Sequence, residues 1–206
     1  MICILVPTRG FTFTRTDIVI DQIKERFDIK VIRTYDKKIP EAHNFLVEEG
    51  LKTDAEFFLF LEEDVVPTLE QIVKMVNRDT DIAFVDYGVN GWSCSAKDKK
   101  GNILWAGLGC TLVKRGVFET LEKPWFRTDK VLRLNDNKWL DQEAKYGGHD
   151  IWFYTKARET GFIIQQISGE ADHLGVDALG KKEVNNGLHP IFTKKSIKNF
   201  QIIEGV

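Results

Sequence analysis

The sequence predicts a single α/β domain: a mostly parallel central sheet flanked by helices, with a smaller antiparallel part in its second half. Three observations carry that prediction. Through about residue 88 the patterns read strand, helix, strand, helix, strand, helix, strand, the alternation of a parallel sheet covered on both faces. The run Phe57-Phe58-Leu59-Phe60-Leu61 is apolar at every position, as a strand buried on both sides must be. It leads straight into Glu62-Glu63-Asp64, so carboxylates stand where that strand leaves the sheet. That is the edge at which open α/β sheets bind ligands.

Length and composition fit such a domain. The 206 residues suffice for one substantial core, and 43% hydrophobic with 29% charged residues is ordinary for a globular chain. A formal net charge of -2 gives no overall pull toward nucleic acid or a membrane surface. No apolar run reaches bilayer-spanning length. Met1 to Pro7 lacks the basic flank and the length of a signal peptide and reads as the first strand. Cys3, Cys94 and Cys110 show no paired spacing. They predict free thiols in a reducing compartment, hence a cytoplasmic protein.

In order, Ile2 to Val6 reads as a buried strand, and Pro7-Thr8-Arg9-Gly10 as the loop at its end. Val19, Ile20, Ile23 and Phe27 mark one face of a helix over 17–27. A second strand covers 30–34. Pro40 can open the next helix and Gly50 can cap it. After the central strand, which Pro67 is expected to end, Thr68 and Gln71 form a capping box ahead of Leu69, Ile72, Val73 and Val76. A fourth strand covers 82–87. Asp98-Lys99-Lys100-Gly101 reads as the turn of a hairpin between 92–96 and 102–105. A strand at 110–113 and a short helix at 117–121 follow. Residues 123–148 have poor periodicity and read as a long loop. A helix over 149–159, ended by Gly161, precedes a strand at 162–167. The tail from Asp177 is lysine-rich.

Along an extended chain, residues two apart point the same way, so Glu62 and Asp64 can converge while Glu63 faces elsewhere. Two carboxylates on one side make a hard oxygen site suited to Mg²⁺ or Mn²⁺, which could hold a diphosphate. A solvated acidic turn is the alternative. Other chemistries lack their signatures. No Gly-x-Gly-x-x-Gly follows the first strand, and the sequence contains neither a Walker-type loop nor a Gly-x-Ser-x-Gly elbow.

Several ordered segments resemble the GT-A glycosyltransferases, most closely the family 2 type, from Ile2 to about Gly175. Leu59 to Asp64 is similar to that family's strand and DxD motif, with Glu62 in place of the first Asp. Val6-Pro7-Thr8-Arg9 resembles its nucleotide-binding loop, and Ala42-His43-Asn44 its Ala-Arg-Asn segment, with His43 replacing Arg. Trp105 to Arg115 resembles the glycine-containing strand beneath the donor sugar. Gly147-Gly148-His149-Asp150 resembles the acidic motif opening a helix, and Asp172-His173-Leu174-Gly175 the late histidine segment.

The resemblance implies a GT-A domain over 1–206, with 1–90 as nucleotide-binding half and 91–176 as acceptor half. The basic tail, 177–206, would be a lid over the diphosphate or a solvated extension. It implies Asp64 and His173 as ligands of Mn²⁺ or Mg²⁺, and Glu62 on the metal or the ribose. Pro7, Thr8, Arg9, Asp36, Asn44, Glu62, Glu63 and Gly107 would line the nucleotide-sugar site. Asp36 would meet the uracil ring or simply form a turn, and Trp105 would wall the acceptor site or fill core. Asp150 would be the catalytic base. The expected reaction is transfer from a UDP-sugar to an unidentified acceptor hydroxyl, with inversion. A nucleic-acid acceptor is not indicated, though such a hydroxyl would also serve. A sugar nucleotidyltransferase and a non-catalytic nucleotide-sugar or glycan-binding module are the alternatives.

Overall fold

The computed structural model describes residues 1–35, 37–89, 92–133, 138–144, 148–176 and 183–185. The elements run β1 (Ile2–Pro7), α1 (Thr14–Arg26), β2 (Ile29–Thr34), α2 (Glu41–Leu51), β3 (Phe57–Leu61), β4 (Val65–Val66), α3 (Leu69–Val76) and β5 (Ile82–Val89). They continue as β6 (Trp92–Ser93), β7 (Ser95–Lys97), β8 (Ile103–Ala106), β9 (Cys110–Lys114), α4 (Arg115–Thr120), β10 (Lys130–Arg133), β11 (Lys138–Asp141), α5 (His149–Thr160), β12 (Ile164–Val176) and β13 (Glu183–Asn185).

The main sheet has the order β13-β12-β5-β9-β3-β1-β2. β2, β1 and β3 are mutually parallel, as are β5 and β12. β9 lies antiparallel between β3 and β5. The fold is therefore the expected helix-flanked α/β sheet, with one reversed strand at its centre.

Strand alternation builds two cores. Ile2, Ile4, Val6, Leu59 and Leu61 face one side and pack with Val19, Ile20 and Ile23 of α1 and Ile72 and Met75 of α3. Cys3, Leu5, Phe58 and Phe60 face the other, with Leu46 and Val47 of α2, Phe118 of α4, and Phe153 and Tyr154 of α5. The all-apolar reading of β3 follows from this, since four of its five residues have no exposed surface. The capping box opens α3 as expected: Gln71 N–H donates to the Thr68 hydroxyl at 3.2 Å, and Thr68 N–H donates to the Gln71 side-chain oxygen at 2.8 Å. Asp98 accepts from the backbone N–H groups of Lys100 and Asn102, closing the β7–β8 hairpin.

Four local expectations are corrected. Gly50 does not cap α2 but lies within it, where a Cβ would stand 2.6 Å from the Phe58 ring; it is glycine so that α2 can lie close on β3. Pro67 follows β4 rather than ending β3, because β3 stops at Leu61 and the three acids form a turn. The alternation argument for Glu62 and Asp64 therefore does not apply. The stretch 123–148 is not all loop, since β10 and β11 pair antiparallel within it. β12 runs well past residue 167, with a register shift between Ile167 and Glu170.

Cys3, Cys94 and Cys110 are free thiols. Among the described residues no helix is long and apolar enough to cross a membrane. The lid expectation for 177–206 lies outside the described residues except for β13.

Candidate active site

The acidic turn Glu62–Asp64 is held from three sides. Glu62 N–H donates to the Gly109 carbonyl at 3.0 Å, tying the turn to the residue before β9. Leu174 N–H donates to the Asp64 carbonyl at 2.7 Å, where β12 passes antiparallel to β4 and sets His173 opposite Val65. The Glu63 carbonyl accepts from Phe13 N–H at 3.2 Å and from the Thr16 hydroxyl at 2.8 Å, fixing the start of α1.

The side chains divide the work. Glu63 is buried and turns toward the β1–α1 loop, where its carboxylate accepts from Arg9 N–H at 2.6 Å and from Arg9 Nε. Arg9 Nη2 continues to Asp64 Oδ2 at 2.9 Å. That same oxygen lies 3.7 Å from His173 Nε2. His173 Nδ1 is 3.0 Å from the Gly88 carbonyl. A carbonyl only accepts, so Nδ1 carries a proton; Nε2 faces Asp64, donating to it when the ring is protonated and offering a lone pair to a cation when the ring is neutral. Burial works to lower the His173 pKa, but the hydrogen bond and charge of Asp64 outweigh it and hold it above the ordinary value.

This donor set suits a hard or borderline divalent cation. Among the described residues no three His, Cys, Asp or Glu side chains form a complete metal-holding group. Asp64 and His173 nevertheless form a carboxylate–imidazole pair with the imidazole oriented by a backbone carbonyl, the outer support usual for metal-bound histidines. Mg²⁺-type sites often take only one or two carboxylates, with substrate phosphates completing the shell.

Glu62 is half-buried. Burial raises its pKa most, then the Asp64 charge; Asp150 adds to the rise while His173 and Arg9 oppose it, leaving it at about 8. Asp150 opens α5. Its Oδ1 accepts from Gly148 N–H at 3.1 Å and Ile151 N–H at 2.8 Å, and no hydrogen bond to Oδ2 occurs among the described residues. Gly148 has φ +87°, and a Cβ there would meet Ala144 Cβ at 2.7 Å, so glycine is needed for the chain to enter α5 at this angle. α5 is anchored by the Tyr154 hydroxyl, 3.0 Å from the Thr111 hydroxyl of β9. Beyond Asp150, Trp152 packs edge-on to Trp139 of β11, with ring centroids 4.8 Å apart.

The remaining predicted site residues fall in different settings. Pro7 ends β1 opposite Thr34, and the buried Thr8 hydroxyl donates to the Phe11 carbonyl at 2.5 Å and accepts from Gly10 N–H, shaping the loop itself. Asn44 is occupied with backbone: its amide donates to the carbonyls of Phe126 (2.9 Å) and Pro40 (3.2 Å), and its oxygen accepts from Phe126 N–H. Gly107 and Gly109 are packed on Tyr87; a Cβ at Gly107 would lie 2.3 Å from the Tyr87 hydroxyl oxygen. The Tyr87 ring in turn stands edge-on to His173, with centroids 5.3 Å apart. Trp105 packs against the second core. Asp36 and Gly147 lie outside the described residues. Sequence reasoning missed the Glu63–Arg9 clamp and the part of Tyr87. The one local signal for the latter was glycine on both sides of Leu108, across from an aromatic at the end of β5.

His43 is not a ligand residue. It is fully buried among Phe60, Phe126 and His149, with the His149 ring centroid 4.8 Å away, and neither ring nitrogen has a hydrogen-bond partner among the described residues. Burial, and secondarily the charge of His149, holds its pKa well below the ordinary 6.5. The folded state thus refuses a proton that the unfolded chain accepts below about pH 6.5. The contribution is intact above that pH and is lost as pH falls, at up to about 1.4 kcal/mol per unit, until the folded-state pKa is reached. Denaturant melts between pH 7.5 and 5 should show wild type losing stability more steeply than His43→Leu. Parallel curves would contradict the assignment. The comparison also removes the opposing contribution of Glu62, which both proteins share.

No family model matches the chain, and no curated protein matches it. The sheet order and its reversed central strand match a GT-A type of fold, the α/β architecture that the sequence resembles. Among solved structures, the protein A197 from STIV superposes with a TM-score of 0.58 at 16% identity, covering 84% of each chain. A mutant of Drosophila β-1,4-galactosyltransferase 7, in complex with manganese, UDP-Gal and xylobiose, superposes with a TM-score of 0.53 at 13% identity, covering 95% of this chain and 78% of that one.

Proposed function

We propose that this protein is a cation-dependent glycosyltransferase that moves a sugar from a nucleotide sugar, a UDP-sugar by preference, to an acceptor hydroxyl with inversion. The observation that carries the reading is the pair Asp64 Oδ2 and His173 Nε2, 3.7 Å apart at the end of β3, beside the strand β9 on which α5 is anchored through Thr111 and Tyr154. A cation-suited pair and an acid at a helix start therefore share one edge of the sheet, at the end of β3. The likeness to a galactosyltransferase solved with manganese and UDP-Gal supports the same choice of ligands.

A bound cation would neutralise the diphosphate leaving group. Asp64 and His173 would hold it, and the neighbouring loop from Pro7 to Arg9, with Asp36, would receive the nucleotide. In this reading 1–90 serves the donor and 91–176 the acceptor. Asp150 takes the acceptor proton. Its Oδ1 is fixed by two backbone N–H groups at the start of α5. Oδ2 is the oxygen that receives the proton as the acceptor attacks the anomeric carbon.

Incubation with a panel of nucleotide sugars and Mn²⁺ tests this directly. The expected result is slow release of UDP from one UDP-sugar by hydrolysis, accelerated by the right hydroxyl acceptor and abolished by chelation. Pyrophosphate release from a nucleoside triphosphate and a sugar phosphate would mark a nucleotidyltransferase instead. Binding with no turnover across a broad acceptor panel would mark a binding module.

A further inference from the structure

We infer that Arg9 is a stand-in cation: it occupies Asp64 while the site is empty, yields that carboxylate to the divalent ion, and then serves the donor diphosphate. The inference rests on the cation site proposed above and goes beyond it by assigning an exchange. Its basis is one oxygen with two claims on it. Asp64 Oδ2 accepts from Arg9 Nη2 at 2.9 Å and also faces His173 Nε2 at 3.7 Å. A divalent ion shared by Asp64 and His173 would place a double positive charge beside the guanidinium, and the two repel at such range.

The burial pattern shows why a stand-in is needed. The Glu63 and Asp64 side chains are only 4% and 6% exposed, while that of Arg9 is 44% exposed. Two buried carboxylates without a counter-charge are costly. The guanidinium supplies that charge from the solvent side, on a partly exposed side chain. Its tether is asymmetric. Among the described residues Glu63 holds both the backbone N–H and Nε of Arg9, whereas Asp64 holds Nη2. Rotation about the outer bonds of the side chain can therefore release Asp64 while the backbone N–H of Arg9 keeps the loop clamped to Glu63. A guanidinium freed beside a bound cation is placed to take a diphosphate oxygen, for which its planar fork is suited.

The exchange predicts opposite effects on two ligands, which a merely structural arginine would not give. Mn²⁺ alone, titrated without nucleotide and followed by calorimetry or by the spin-resonance signal of free Mn²⁺, should bind Arg9→Gln about tenfold more tightly than wild type, the change expected from losing one charged competitor. UDP titrated in saturating Mn²⁺ should bind Arg9→Gln more weakly than wild type. Arg9→Lys keeps the charge without the fork, and should fall between the two in both titrations. It also serves if circular dichroism shows that Arg9→Gln is not folded. Mn²⁺ affinity that is unchanged or weaker in a folded variant overturns the exchange and leaves the cation site standing. Absence of Mn²⁺ binding to both wild type and Arg9→Gln overturns the cation site itself, and the exchange with it.

Discussion

Asp150→Asn should slow sugar transfer by about 10²–10⁴-fold, the usual effect of losing a general base, while UDP and Mn²⁺ binding stay nearly unchanged. The geometry makes this substitution clean. Asp150 Oδ1 accepts two backbone N–H groups at the start of α5, and an asparagine oxygen can accept the same two. The helix start is thereby kept, and the melting free energy should move by no more than about 1 kcal/mol. What disappears is an oxygen able to take a proton. If Asp150 only caps α5, the variant loses a little stability and keeps its activity. Transfer rates and thermal melts on one preparation separate the two outcomes. A fully active Asp150→Asn would move the search to Glu143, Asp141 or a more distant acid.

Asp64→Asn should remove the dependence of UDP binding on Mn²⁺ and weaken UDP binding in Mn²⁺ by about a hundredfold or more, since breaking a buried charge pair costs about 3–5 kcal/mol. The fold should survive, because Arg9 keeps Glu63 and the backbone bond from Leu174 N–H to the residue 64 carbonyl is untouched. Calorimetry of UDP with and without Mn²⁺ reads the effect. Unchanged Mn²⁺-dependent affinity would remove Asp64 from the site.

The parts of this protein legible in its sequence are those written in short-range pattern. Burial on both faces made β3 apolar throughout, and the capping box at Thr68 and Gln71 needs only four consecutive residues. The acids at the end of β3 could be singled out because strand ends meet ligands, and Asp150 because its segment resembles the acidic motif that opens a helix. The reversed direction of β9 was not legible, since nothing in Cys110–Lys114 distinguishes an antiparallel neighbour from a parallel one. The role of Glu63 was hidden for a similar reason. It depends on Arg9, 54 positions away, and on a turn that breaks the alternation assumed for an extended chain. The burial of His43 was not legible because its neighbours Phe126 and His149 come from distant segments. Asn44 misled in the opposite way. Its side chain suits a nucleotide base, yet it is spent on the backbone of Phe126.

The central claim is that the end of β3 binds a nucleotide diphosphate through a cation held by Asp64 and His173. Anomalous diffraction at the manganese edge, from crystals grown with UDP and Mn²⁺, measures this most directly. The account predicts one strong peak between Asp64 Oδ2 and His173 Nε2, in contact with the diphosphate oxygens, with Arg9 turned from Asp64 toward the phosphates. UDP bound with no manganese peak there, or manganese bound away from both residues, would contradict it.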